Sequence, residues 1–256
     1  MLFPSWLLEI VRCPETGQPL RFENNHFVRP DGVTYPVIDD IPCLVFPQTV
    51  VGESARWQKF YDWFVPLYDL NERVMGRIMT GLSVSAERNR ILSLLDIQKG
   101  SRMLEVSPGP GVFQPYIREG IGSNGEFVAL DLSLGMLKQC RIRSKGLDVT
   151  LIQGNGSYLP FSDGSFDVLF HFGGVNLFDS PERALREFVR VVRKGGIVAW
   201  GDEGFSTELP DSWKKRFLRT LNPGYDKPRL AAPSGLSSIK EFEVYGGYAY
   251  LVVAKP

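Results

Sequence analysis

The chain has 256 residues, a length that allows one large domain with a small appendage. Its 29 lysines and arginines balance its 29 aspartates and glutamates, which excludes a global field that would attract nucleic acid or an anionic membrane. Hydrophobic residues make up 43% of the chain, and no apolar run approaches the roughly 20 residues that span a bilayer.

The first residues lack a basic segment followed by a long apolar core, so we expect no secretory signal. Cys13, Cys43 and Cys140 lie far apart and are odd in number. That pattern favours a reducing cytoplasm over a disulfide framework. We therefore expect a cytoplasmic protein without a membrane span.

Residues 1–50 predict a small β-rich module, because proline and glycine interrupt them every few positions. Residues 51–98 predict a helical segment with a second helix near 84–95. Aromatic residues at a spacing of three to four form one face of its first helix, namely Trp57, Phe60, Tyr61, Phe64 and Tyr68. Pro66 should end or kink that helix. The aromatic face either packs in the core or forms a lid over a ligand.

Residues 99–256 alternate apolar strands with helices, which predicts an α/β fold with a mostly parallel sheet. We expect the parallel strands at 102–106, 126–130, 149–153, 166–171 and 196–200. A basic helix at 211–219 and a hairpin between about 239 and 254 follow. The hairpin completes a seven-stranded sheet and makes one terminal strand antiparallel.

The helix before the last parallel strand should span 181–194. Ser180 can cap its start, and Pro181 suits its first turn. Gly195 and Gly196 should stop it.

A glycine-containing turn follows the first parallel strand, and an acid ends the second. Gly109 and Gly111 let a ligand approach the backbone, and the carboxylate of Asp131 can accept both hydroxyls of a ribose. A dinucleotide fingerprint needs a third glycine where this chain has Gln114, so NAD or FAD binding is the weaker interpretation. Glu105 lies in an apolar strand, so its carboxyl must be hydrogen-bonded or must face a cationic ligand group.

This stretch and three later ones resemble the ordered motifs of class I S-adenosylmethionine-dependent methyltransferases. Residues 105–111 resemble E-x-G-x-G-x-G, and residues 131–137 resemble the second motif. Residues 153–167 resemble Q-G-D-A-x-x-L-P-F-x-D-x-S-F-D, and residues 184–196 resemble A-L-x-E-x-x-R-V-L-K-P-G-G. The resemblance covers about residues 55–256 and is closest to the ubiquinone/menaquinone-biosynthesis type. It implies a Rossmann-like sheet, S-adenosylmethionine as cofactor and S-adenosylhomocysteine as product.

The resemblance also implies a role for each matching residue. Glu105 would lie near the cofactor's ammonium group, and Gly109 with Gly111 would pass its methionine part. Asp131 would hold the ribose diol. Tyr68 would close over the methionine end.

The adenine would be held by four further residues. Leu132 and Met136 would enclose its faces. Asn155 and the backbone N–H of Gly156 would read its edge.

Two positions depart from the family pattern. Ser107 replaces the first glycine of the turn, which is tolerable only if its φ is negative and its hydroxyl finds a partner. Asn155 replaces an aspartate, although its amide oxygen can still accept from the adenine amino group. Both residues stay in the predicted cofactor site.

His171, near the end of the fourth parallel strand, has two interpretations. Its pKa near neutrality suits a general base that removes a proton from the acceptor. Alternatively, it shapes the pocket, where we also count it among the residues that contact the cofactor, or it orients the substrate. Asp202 and Glu203 after the fifth strand are weaker candidates, expected to be solvated. The basic run at 214–219 is either a solvated helix face or an anionic-substrate site.

Residues 7–14 and 35–42 resemble the zinc-ribbon-like module that activates certain RNA and release-factor methyltransferases. Zinc would need four thiolate or imidazole ligands in paired spacing. Only Cys13 matches, because Thr16 replaces its partner and Arg29 with Asp31 occupies the second knuckle. We therefore expect no metal.

The sequence thus predicts a methyltransferase that acts on an O, N or C atom of a small molecule. An rRNA-base methyltransferase is an alternative that the neutral charge disfavours. A cofactor-binding protein without turnover is a second alternative, motivated by Ser107 and Asn155. The acceptor and the oligomeric state cannot be read from the sequence.

Overall fold

The computed structural model describes residues 2–47, 81–221 and 223–256. Its helices are α1 (Ser5–Ile10), α2 (Val84–Ser93), α3 (Gln114–Ile121), α4 (Leu134–Arg143), α5 (Pro181–Val191) and α6 (Trp213–Leu221). Its first strands are β1 (Arg21–Glu23), β2 (His26–Val28), β3 (Thr34–Ile38) and β4 (Ile41–Leu44). The later strands are β5 (Arg102–Val106), β6 (Glu126–Asp131), β7 (Thr150–Gly154), β8 (Phe166–Phe172), β9 (Val192–Glu203), β10 (Ser237–Val244) and β11 (Ala249–Lys255).

Seven of these strands form the expected α/β sheet, in the order β7-β6-β5-β8-β9-β11-β10. The neighbours from β7 to β9 are parallel, whereas β11 runs antiparallel to both β9 and β10. The predicted fold class is therefore confirmed. The chain moves outward from β5 to β7 and then returns to β8 on the other side of β5. Ligands of such sheets bind where the strand order reverses, at the carboxyl ends of the strands.

The sheet continues into the N-terminal residues. Strands β1 to β4 form an antiparallel meander, and β4 pairs in parallel with the edge strand β7 through Cys43↔Gln153 and Leu44↔Gly154. The sequence analysis expected strands in this region but did not predict α1. Leu7 of α1 is fully buried in the same apolar cluster as Leu104 and Leu169 of the central strands.

Two apolar layers cover the central sheet. Leu104 and Leu169 face the layer that includes Phe188 of α5. Met103 and Phe170 face the opposite layer, against α2 and α3. Because side chains alternate along a strand, Glu105 lies on the α3 side and His171 on the α5 side.

The helix predicted at 181–194 ends earlier than expected, because α5 stops at Val191. Val192 already pairs with Phe166 of β8, and Arg193 bonds Asp167 at 2.5 Å. These long-range contacts extend the chain before the glycines are reached. The predicted side-chain cap of Ser180 is also wrong, since only its carbonyl oxygen accepts the N–H of Ala184.

Two further predictions concern the helices expected before β5. The helix expected near 84–95 is α2, whose cap Ser83 accepts the N–H of Ala86. The aromatic helix with Pro66 and Tyr68 lies outside the described residues. None of the helices in the described ranges is long and apolar enough to cross a membrane.

An arginine occupies the region where the zinc-ribbon resemblance would place metal ligands. Arg29 bonds Asp31 at 2.7 Å and Glu15 at 2.8 Å, and it lies 3.5 Å from the thiol of Cys13. The thiol also lies 3.1 Å from the hydroxyl of Tyr35. Among the described residues, no group of three or more His, Cys, Asp or Glu side chains could hold a metal ion.

Candidate cofactor site

The turn after β5 has a left-handed backbone at three positions. Ser107, Gly109 and Gly111 have φ values of 56°, 54° and 80°. The condition that a serine at position 107 needs a negative φ is therefore not met. The N–H of Ser107 donates to the carbonyl of Leu130 at 2.7 Å, which fixes the direction in which the chain leaves the strand. A non-glycine residue in this conformation costs about 1–2 kcal/mol.

The two glycines of the turn serve different purposes. A β-carbon on Gly109 would have no atom of the described residues within 4 Å, so within this part of the chain the backbone borders space that a ligand can enter. A β-carbon on Gly111 would lie 2.9 Å from the sulfur of Cys140 on α4. Gly109 therefore leaves room for a ligand, and Gly111 lets the turn pack against a helix.

Asp131 ends β6 with its carboxylate next to this turn. One oxygen accepts the N–H of Gly109 at 3.1 Å, and the other accepts the N–H of Ser133 at 2.9 Å. Ser133 in turn caps α4 by accepting the N–H of Met136 at 3.0 Å. The side chain of Met136 is buried, and Leu132 is half-buried at the same edge of the sheet. The carboxylate is thus held at the switch point, and its oxygens are of the kind that accept hydroxyl donors.

Glu105 lies in β5, two residues before the turn begins at Ser107, and 2% of its surface is exposed. The amide nitrogen of Gln114 lies 3.4 Å from its carboxylate. Burial raises the pKa of Glu105 to about 8, and the nearby charge of Asp131 acts in the same direction. The sequence analysis considered Gln114 only as a missing glycine, although a glutamine can donate to a carboxylate and accept from a carboxylic acid.

Asn155 and Gly156 follow β7 at the same edge. The amide nitrogen of Asn155 donates to the carbonyl of Phe46 at 3.1 Å, and its amide oxygen accepts the N–H of Ser157 at 3.0 Å. A β-carbon on Gly156 would lie 2.5 Å from the ring of Phe178. The turn therefore lies against the loop after β8, and only glycine fits there.

His171 is fully buried beside the end of β5. Its Nδ1 lies 3.0 Å from the carbonyl oxygen of Val106, and the rings of Phe178 and Phe188 flank it. In the described part of the chain, its Nε2 has no hydrogen-bond partner. Burial lowers the pKa of His171, so the imidazole is neutral. This environment favours the shaping and orienting interpretation over the general base.

Asp202 was expected to be solvated, but the structure buries it, with 1% of its surface exposed. Its carboxylate accepts the N–H groups of Gly174, Asn176 and Glu203 at 2.8–2.9 Å. Burial acts to raise the pKa of Asp202, but these hydrogen bonds outweigh it and lower the pKa. Asp202 therefore fixes the loop that leaves β8, a role that no local pattern reveals.

The basic run lies on α6, where Arg216 and Arg219 are exposed. Arg219 pairs with Asp226 at 2.7 Å, and Lys215 donates to the carbonyl of Leu209 at 2.8 Å. These contacts favour a solvated helix face.

Residues 104–200 match the family model of the methyltransferase domain. The demethylmenaquinone methyltransferase of Listeria welshimeri is 38% identical over 182 residues, which cover 68% of this chain and 74% of that protein. The chain therefore belongs to the S-adenosylmethionine-dependent methyltransferases. It is an enzyme that methylates a small molecule, with S-adenosylmethionine as the methyl donor, and the resemblance seen in its sequence motifs is confirmed.

Solved structures share the fold at low sequence identity. A SAM-dependent methyltransferase of Thermotoga maritima has a TM-score of 0.55 and 19% identity, covering 77% of this chain and 98% of that one. The cyclase SpnF has a TM-score of 0.56 and 18% identity, covering 81% of this chain and 97% of that one. Since a protein named for cyclisation shares the fold, the enzyme class rests on the sequence relationship.

The described residues fit this cofactor. No atom of residues 2–47, 81–221 and 223–256 would lie within 4 Å of a β-carbon on Gly109, and the carboxylate of Asp131 ends β6 beside this position. The carboxyl of Glu105 is buried, and this burial raises its pKa to about 8. A carboxylate at the rim of the site and a buried carboxyl group at its base match a ligand that carries both a diol and an ammonium group.

Proposed function

We propose that this enzyme methylates a ring carbon of a small quinol, related to the acceptor for which its relatives are named. The proposal is supported by the identity of 38% with a demethylmenaquinone methyltransferase. An aromatic cluster also follows β9, where Phe205 stacks on Tyr225 at 4.5 Å and meets the edge of Tyr248 at 6.0 Å. Aromatic rings in offset or edge contact suit a flat aromatic acceptor.

The cofactor roles in this proposal follow the motifs. Asp131 binds the ribose diol, Glu105 binds the ammonium group, and the turn at 107–111 passes the methionine part. Leu132 and Met136 enclose the adenine. These assignments are supported by the position of the residues. They share the edge of the sheet where the strand order reverses, which is where such sheets bind ligands.

Asn155 and Gly156 complete the adenine contacts in this proposal. The amide oxygen of Asn155 has a second lone pair beyond the one used by Ser157. The N–H of Gly156 donates to the adenine ring. Tyr68, which lies outside the described residues, closes the methionine end.

S-adenosylmethionine, when bound, supplies an electrophilic methyl group on a sulfonium sulfur. The residues of the chain hold the donor and the acceptor in line, and such positioning alone can remove about 7–11 kcal/mol of a barrier. Asp202 holds the loop after β8 in place beside the acceptor, through its bonds to Gly174 and Asn176. His171 supports the end of β5 through Val106.

Transfer of a radiolabelled methyl group tests the proposal. Purified full-length protein is incubated with labelled S-adenosylmethionine and a short-chain demethylnaphthoquinol, the same compound in its oxidised form, or ribosomal RNA. We expect label in the carbon-bound methyl group of the reduced quinol and none in the other two. Label in the RNA, or cofactor binding without transfer to the quinol, would contradict the proposal.

We further infer a cytoplasmic location and no nucleic-acid partner. The cysteines, which are free in the described residues, support the location, and the balanced charge of the chain supports the absence of a nucleic-acid partner. An RNA mobility shift that weakens steeply with salt would contradict the second inference.

A further inference from the structure

The N-terminal residues reach the edge of the cofactor site. Strand β4 pairs with β7 through Leu44↔Gly154, so residues 45–47 leave β4 beside the turn that leaves β7. There the amide nitrogen of Asn155 donates to the carbonyl oxygen of Phe46 at 3.1 Å. The two partners are 109 residues apart in the chain.

The turn that contains Asn155 is fixed by further contacts. Its amide oxygen accepts the N–H of Ser157 at 3.0 Å, and its carbonyl accepts the N–H of Tyr158 at 2.9 Å. The ring of Phe46 meets the edge of Tyr158, with centroids 5.0 Å apart. The guanidinium of Arg183 covers the same tyrosine at 3.9 Å. Phe46 therefore contacts the turn with both its backbone and its side chain.

We propose that Phe46 positions Asn155 for cofactor binding, and that this contact requires an amide rather than a carboxylate at position 155. The proposal rests on the proposed role of Asn155 at the adenine. The carbonyl of Phe46 can only accept, so its partner must donate. The amide nitrogen meets that demand, which leaves the amide oxygen directed to Ser157 and to the ligand.

An aspartate at position 155 would reverse this arrangement. A carboxylate is acceptor-only when ionised, so one of its oxygens would face the Phe46 carbonyl at the present distance of 3.1 Å. The side chain would turn away, and its other oxygen would leave the adenine edge. The family motif alone predicts the opposite result, equal or tighter cofactor binding by N155D, because an aspartate is the usual residue at this position.

The experiment compares N155D with the wild type in the full chain. Calorimetry with S-adenosylhomocysteine at pH 7 should give about tenfold or weaker affinity for N155D, as expected from a lost hydrogen bond and a misdirected acceptor. Hydrogen exchange at residues 41–47 should become faster. Lowering the pH should restore affinity relative to the wild type at the same pH, because a protonated carboxyl can again donate to Phe46.

A matched control is N25D. The amide nitrogen of Asn25 donates to the carbonyl of Val37 at 3.2 Å, so the same substitution removes the same kind of bond away from β7. We expect N25D to bind S-adenosylhomocysteine like the wild type at every pH.

Equal or tighter binding by N155D at pH 7 would overturn the proposal, and so would faster exchange without a change in affinity. Weaker binding that no acidification restores would also overturn it, because the loss would then not depend on the donor. A wild-type chain that binds no S-adenosylhomocysteine would contradict the proposed function itself, and the wild-type titration alone detects this case.

Discussion

The carboxylate of Asp131 accepts the backbone N–H of Gly109 at 3.1 Å. This bond joins the end of β6 to the turn after β5 across the point where the strand order reverses. The second oxygen accepts the N–H of Ser133, so the carboxylate is oriented before any ligand arrives. A preformed acceptor loses less freedom on binding than a mobile one.

The two glycines of the turn should respond differently to alanine. G111A should lower the free energy of unfolding by about 2 kcal/mol, because its backbone is strained at a φ of 80° and its methyl group would also meet the sulfur of Cys140 at 2.9 Å. G109A should cost only the backbone strain of about 1 kcal/mol, yet it should weaken binding of S-adenosylhomocysteine because its methyl group enters open space. Urea unfolding and calorimetry measure the two effects.

The double variant G111A/C140A serves as the control. G111A should cost about 1 kcal/mol less in the C140A background than in the wild type. Equal costs in both backgrounds would show that the Cys140 contact is not the cause.

Glu105 should make stability depend on pH. Burial raises its pKa to about 8 from the ordinary value of 4.5, so the folded chain keeps a proton that the unfolded chain loses. The free energy of unfolding should therefore fall as the pH rises from about 5 to about 8. E105Q should reduce this fall, as measured by urea unfolding at both pH values.

The matched variant is E119Q, which changes an exposed glutamate on α3. It should retain the wild-type difference in stability between the two pH values. A wild-type difference that E105Q leaves unchanged would refute the assignment to Glu105.

Replacing Ser107 by glycine should stabilise the protein. The φ of Ser107 is 56°, and glycine adopts this angle without strain. Its greater freedom in the unfolded chain offsets part of the gain, by about 0.5–1 kcal/mol. We expect a net gain of about 0.5–1 kcal/mol in chemical unfolding without ligand. S123G, at an exposed turn residue whose φ is not positive, should give no gain. A destabilised S107G would mean that the serine hydroxyl matters more than the strain.

His171 should stabilise the fold through its hydrogen bond to Val106 and the volume of its ring, and should not serve as a general base. H171N keeps a donor for the Val106 carbonyl and should leave the pH profile of kcat unchanged, with activity within a few-fold of the wild type. H171A removes both donor and ring and should lower the free energy of unfolding by about 2–3 kcal/mol. A loss of about 100-fold or more in kcat for folded H171N would support a general base instead.

The sequence predicts the elements that local pattern determines. The bounds expected for β5, 102–106, are those observed, and the strand expected at 126–130 is β6. Both strands are buried on two faces, so each is a largely apolar run between turn residues, with Glu105 as the one carboxyl group inside β5. The glycine turn and Asp131 could be located for the same reason, since they follow directly from the ends of these runs.

The rest depends on contacts between residues far apart in the chain. The end of α5 follows from the pairing of Val192 with Phe166, and the burial of His171 follows from its place beside Val106, 65 residues away. The bond between Asn155 and Phe46 joins two regions that no local pattern connects. The role of Asp202 likewise became visible only with the loop that it binds.

The most direct test is calorimetric titration of S-adenosylhomocysteine into the wild type and D131A, with D163A as control. Asp163 is an exposed carboxylate that pairs with Arg190 at 2.8 Å, before β8 begins. The account predicts wild-type binding with one site per chain, about 100-fold or greater loss of affinity in D131A, and no loss in D163A. A folded D131A that binds S-adenosylhomocysteine like the wild type would contradict it.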